Sequence, residues 1–129
     1  MGRKKRMRAV DGLKYQGGGP MIAWILHRLT AIGILLFVGL HVTASFFSME
    51  TGGEWTSWIN DIYMSPWFQV LVAFCVIFHA FNGLRIILLD FFPAFLRFQR
   101  EAIWVEWAVV IPLFSLTAFL IIQSATSGV

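Results

Sequence analysis

Residues 76–90, VIFHAFNGLRIILLD, set His79, Asn82, Arg85 and Asp90 inside an almost unbroken apolar run. Ionisable groups in hydrocarbon cost several kcal/mol each, so they persist where they pair with one another or bind something. At about 100° per residue, His79, Asn82, Gly83, Ile86 and Asp90 share one face of a helix, with Gly83 one turn from His79. A second set lies in WILHRLTAIG, residues 24–33, which carries His27, Arg28 and Thr30. His41 recurs fourteen residues after His27, close to the same helical face.

The chemistry that unites these residue types is that of a b-type haem. Its iron takes neutral imidazoles, its macrocycle needs a slot beside a small residue such as Gly83, and its propionates need Arg or His near an aqueous edge. Plainer readings stand beside it. His79 can be hydrogen-bonded to a neighbouring helix, Gly83 can serve close helix packing, and Arg28 can snorkel to headgroups. Depth bears on which histidines can share an iron. His41 lies 21 residues beyond Pro20, roughly 31 Å along the axis, and His79 lies 14 residues from Pro93, roughly 21 Å, at about 1.5 Å per residue. A difference of roughly 10 Å is too large for one iron between neighbouring helices. His79 therefore needs a ligand partner from another chain, and His41, if it is a ligand, serves a second haem nearer the outer surface.

The elements that must position these groups are membrane helices. The chain has 129 residues, is 58% hydrophobic and carries only 13% charged residues, a membrane composition. About 20 apolar residues cross the hydrocarbon core, and three runs qualify, giving spans over about 20–48, 66–92 and 102–124. These form one three-helix transmembrane domain over residues 20–129, up-down-up, behind a basic arm over residues 1–19. Arg3, Lys4, Lys5, Arg6, Arg8 and Lys14 precede the first span, and Arg97 and Arg100 lie between the second and third. The connection over residues 48–65 and the tail after Ile122 hold no Lys or Arg, which places the N-terminus in the cytoplasm. Lipid headgroups, not nucleic acid, are the expected partner of the basic arm. The first run is too long for a signal-peptide core and is expected to be retained.

Punctuation along the chain fits this division. QGGGP leads into the first span with Pro20 in its first turn, Pro66 opens the second, Pro93 closes it, and Pro112 is expected to bend the third. The acidic, aromatic connection over residues 48–65 can lie flat on the outer surface. Trp55, Trp58, Tyr63 and Trp67 suit one membrane interface, and Trp24, Trp104 and Trp107 the other. Cys75 stands alone, so the chain offers no internal disulfide and no sulfur-bound cluster, and it reads as a packing residue.

HRLT in the first span, followed by HAFNGLRIILLD in the second with the spacing H-x3-G-x-R-x4-D, resembles the cytochrome b membrane-anchor subunit of succinate dehydrogenase, respiratory complex II. The resemblance covers all three spans. It implies a bundle formed with a second small membrane-anchor subunit, capped on the cytoplasmic side by a flavoprotein subunit and an iron–sulfur subunit. It also implies haem b shared with that second anchor, and quinone as electron acceptor. Carried over residue by residue, His79 matches the axial haem ligand, and His27, Arg28 and Arg85 match positions near the haem or its propionates, with Gly83 beside the ring. Trp24, Arg28, Thr30 and Asp90 fall at the expected quinone positions. Trp24 stands where many members have serine, Ala31 where they often have glycine, and Ile86 where some have a second histidine. His41 resembles first-span histidines of anchors that carry two haems.

The resulting expectation is an all-α membrane anchor in a bacterial cytoplasmic membrane that binds haem b, passes electrons from the iron–sulfur subunit to quinone, and performs no succinate chemistry itself. A haem-free structural anchor is the second reading. A small proton-relaying transporter subunit is the third, disfavoured because Asp90 and Glu106 lie toward helix ends instead of the bilayer centre.

Overall fold

The computed structural model describes residues 18–51 and 53–128. Residues 1–17 of the expected basic arm, and with them all six of its Lys and Arg residues, lie outside the described residues. Four α-helices follow in order: α1 (Gly18–Thr51), α2 (Glu54–Met64), α3 (Pro66–Phe91) and α4 (Gln99–Ser127), with a 3-10 helix over Pro93–Phe98 joining α3 to α4. There are no strands among the described residues. α1, α3 and the segment from Pro93 through α4 are each long and apolar enough to cross a membrane, so the chain is a multi-pass membrane protein.

Proline and backbone geometry set the helix limits. Ser65 is extended, with ψ at 127°, and Pro66 follows at the first helical position, where its missing N–H costs nothing. At the other end Phe92, ahead of Pro93, turns to φ −124° and ψ 74°, away from the helical region that proline disfavours for its predecessor. α4 instead runs uninterrupted through Pro112.

The three long helices pack antiparallel. Along α1 and α3 the pairs are His27 with His79, Gly33 with Cys75, and Phe37 with Phe68, so one helix ascends as the other descends. Along α3 and α4 they are Phe74 with Phe114, Phe78 with Trp107, and Arg85 with Glu106. Cys75 packs as expected: its Sγ would lie 3.3 Å from a Cβ added at Gly33, so glycine is what lets α1 and α3 approach there. Trp107 turns inward onto Phe78, with 5.3 Å between ring centroids, instead of serving only as an interfacial anchor.

Two expectations about placement are corrected. The connection expected to lie flat is the helix α2, which folds back along α1: Trp55 meets Phe47 near the turn, and Tyr63 reaches Phe37 and His41 further down. The Tyr63 hydroxyl donates to the Phe37 carbonyl at 2.8 Å and holds α2 there. The second correction concerns depth. His79 is level with His27, so His41 stands about fourteen residues, roughly 21 Å, above it instead of roughly 10 Å. Pro20 and Pro93 are not level: Gly19 meets Ile103, ten residues beyond Pro93.

One ion pair pins α3 to α4. The Arg85 Nε donates to Glu106 Oε2 at 2.7 Å and its Nη2 donates to Asn82 Oδ1 at 2.8 Å. The two charged side chains are only 11% and 3% exposed, and Asn82 is fully buried. Removing one partner of such a pair leaves an uncompensated charge, a loss of about 3–5 kcal/mol, whereas replacing both with apolar residues is often neutral. Glu106→Leu should therefore sharply lower the thermal stability of the detergent-solubilised native complex, and Arg85→Leu/Glu106→Leu should recover most of it. Equal losses in the single and double variants would show that the pair does not hold the helices together.

Candidate functional site

The site forms where α1 and α3 cross at the level of His27. His79 projects from α3 against α1, and its Nδ1 lies 3.2 Å from the His27 carbonyl oxygen and 3.4 Å from Thr30 Oγ1. A carbonyl can only accept, so this bond requires the proton on Nδ1. The tautomer that makes this bond carries its lone pair on Nε2, the atom through which such an imidazole can bind a metal. Thr30 is buried, and its hydroxyl also lies within hydrogen-bonding reach of the Leu26 and His27 carbonyls of its own helix, at 2.8 and 3.0 Å.

The His27 ring lies flat on the His79 ring, with centroids 4.1 Å apart and planes within 6°. Gly83, one turn along α3 from His79, sits beside it. A Cβ added at Gly83 would meet only His27 Cε1, at 3.6 Å, which is ordinary van der Waals contact. Nothing within the chain therefore demands glycine there. His27, His79, Ala80, Gly83, Leu84, Ile86 and Ile87 line a groove of about 550 Å³, so small residues flank the imidazole where a flat ligand would enter. An imidazole with a free Nε2, set beside a groove that a side chain at position 83 would narrow, fits haem.

The remaining expected residues divide. Trp24 and Arg28 come together on the exposed face of α1, the guanidinium carbon 4.0 Å above the indole ring in a cation–π contact. Thr30 turns inward toward His79 and is not part of that surface. Asp90 is exposed near the end of α3, and His41 is exposed beside Phe37 and Tyr63 at the far end of the groove-bearing helices. The shared face expected for α3 splits: His79 and Gly83 serve α1, while Asn82 joins Arg85 and Glu106 at α4. Arg85 is thus engaged by a carboxylate of its own chain.

Glu106 was expected toward a helix end but was not matched to Arg85 from sequence. Its signal was Arg85 itself: a cation within an apolar span calls for an anion at similar depth, and the third span supplies one. Among the described residues, three buried polar atoms have no hydrogen-bond partner, namely His27 Nδ1, Asn82 Nδ2 and Glu106 Oε1.

Among relatives, the chain is 28% identical over 102 residues to the succinate dehydrogenase 2 membrane subunit SdhC of Mycobacterium tuberculosis (strain ATCC 25618 / H37Rv), an alignment covering 77% of this chain and 74% of that protein. Residues 3–122 match the model of a family described as the succinate dehydrogenase/fumarate reductase transmembrane subunit. That match takes in all three spans and the His27–His79 crossing, and the chain belongs to this family of membrane subunits.

Proposed function

We propose that the chain is the haem-b-binding and quinone-site anchor of a succinate:quinone oxidoreductase, and that it works with a flavoprotein subunit, an iron–sulfur subunit and a second small membrane anchor. The observation that carries the haem assignment is the hydrogen bond from His79 Nδ1 to the His27 carbonyl, which leaves Nε2 free at a groove beside Gly83. His79 would hold the iron, with Gly83 and Ala80 admitting the ring. Bound there, the haem supplies one-electron redox chemistry within the membrane.

The quinone assignment rests on Trp24 and Arg28. An indole face with a guanidinium over it offers a flat apolar surface and fixed N–H donors, the two features a quinone ring and its carbonyl oxygens need. Arg28 would donate to a quinone carbonyl and stabilise the negative charge that develops there. Two electrons arrive from the partner iron–sulfur subunit, two protons come from water, and quinol leaves. The arrangement of Arg97 and Arg100 against the cation-free connection over residues 48–65 supports placing this end at the cytoplasmic face of the membrane, which we take to be a bacterial inner membrane.

The haem-free anchor has one observation in its favour: the His79 ring is already held inside the chain by His27 and by Thr30. Pyridine haemochrome quantitation on the detergent-purified native complex separates the readings. We expect one haem per complex, lost in His79→Leu and kept in His41→Leu. Two haems, one of them lost in His41→Leu, would make His41 a ligand, and no haem in the native complex would establish the structural anchor. For the quinone site, Arg28→Leu removes a charge-assisted hydrogen bond of about 1.5–3 kcal/mol, so quinone reduction should fall roughly 10- to 100-fold. Succinate oxidation with an artificial dye acceptor should stay intact, and loss of both activities would sink the assignment.

A further inference from the structure

The ring plane of a histidine is weakly set by its own torsions, because the terminal χ2 well is broad. His79 nevertheless meets two restraints. Its Nδ1–H is aimed at the His27 carbonyl oxygen 3.2 Å away, and one face of its ring is covered by the His27 imidazole at 4.1 Å and 6°. Both come from one residue of α1, His27, and Thr30 Oγ1 of the same helix adds a contact to the same Nδ1 at 3.4 Å. Gly83 lies against the covering ring, where a Cβ would make an ordinary contact with His27 Cε1 at 3.6 Å.

The geometry points to His27 as a positioning residue that fixes the plane of the His79 imidazole. This inference rests on His79 being the axial haem ligand, and it assigns His27 a role through His79 without contact to the iron. His27 Nδ1 is buried and makes no hydrogen bond, so its ring is placed by packing and a flat hydrocarbon ring can take its place. The backbone carbonyl that receives the His79 proton survives any side-chain substitution at position 27. Changing that side chain therefore removes the stack while the hydrogen bond remains.

In a low-spin ferric haem with two imidazole ligands, the low-field g value of the electron paramagnetic resonance spectrum depends on the angle between the two ring planes. His27→Ala in the native complex should retain haem at the wild-type ratio by pyridine haemochrome but show a shifted and broadened low-field line. His27→Phe, which keeps a flat ring in the same place, should restore the wild-type position and width. Loss of haem in His27→Ala with both haem and line shape kept in His27→Phe would equally mark the ring as the positioning element. A wild-type line in His27→Ala would overturn the inference, as would equal disturbance by Ala and Phe. Failure of the ligand assignment itself looks different: the unsubstituted complex would then contain no haem, or would keep it in His79→Leu.

Discussion

The ion pair between Arg85 and Glu106 constrains everything else in this chain. A guanidinium inside an apolar helix cannot be left alone, and here one edge of it is divided between a carboxylate from α4 and the amide oxygen of Asn82 from its own helix. Satisfying it fixes the rotation of α3 about its axis. His79 lies six residues before Arg85, and at about 100° per residue that places it roughly 120° around the helix. With Arg85 held toward α4, His79 is turned toward α1, where the His27 carbonyl and ring receive it. His79 is thus oriented by a contact on a different face of its helix.

A different kind of restraint governs the other end. There the helices meet through rings: Phe37, Tyr63 and Phe68 lie within 5.0 to 5.7 Å of one another, and His41 caps them. Burial pushes the Tyr63 phenol above its ordinary range, so it stays a neutral donor to the Phe37 carbonyl. Between the two ends the packing relies on small or thin contacts such as Gly33 against Cys75. Few side chains are fully buried, Phe78, Asn82 and Val110 being the largest, and long stretches of apolar surface such as Leu35 and Leu36 face outward. That is a membrane bundle's pattern, in which lipid and neighbouring helices cover what a soluble core would hide.

The spans and their limits at Pro66 and Pro93 were legible from apolar run length and proline, and that His79 would be engaged by a neighbouring group was legible from the cost of polar groups in hydrocarbon. What was not legible depended on relative height. Counting from Pro20 and Pro93 assumed that two helices end at one level, yet the 3-10 helix over Pro93–Phe98 lets α3 extend beyond the start of α1. The same offset brings His79 alongside His27 and so leaves His41, fourteen residues further along α1, distant from His79. Nor does a helical wheel say which neighbour a face serves. His79 and Asn82 are only about 60° apart, yet they address different helices, because α3 is packed between α1 and α4 and the boundary falls between them. The helix α2 was hidden for another reason: its acidic, tryptophan-rich sequence satisfies an interfacial loop as well as an amphipathic helix.

On the proposed reading, the count of ligands bears on whether this chain could hold a haem by itself. Two imidazoles that bind one haem iron stand end-on to the metal from opposite faces of the macrocycle. His27 cannot be the second ligand in the observed arrangement, since its ring lies face to face with His79 at 4.1 Å. His41 cannot reach either, being about fourteen residues, roughly 21 Å, along α1 from His27. Among the described residues these three are the only histidines, and no cluster of three metal-binding side chains occurs. If His79 holds a haem iron, as proposed, a second imidazole for that iron would have to come from a neighbouring chain, and Ala80 and Gly83 line the groove beside His79. On the proposed reading, the surface lined by Ala80 and Gly83 would then face the second anchor as well as the cofactor.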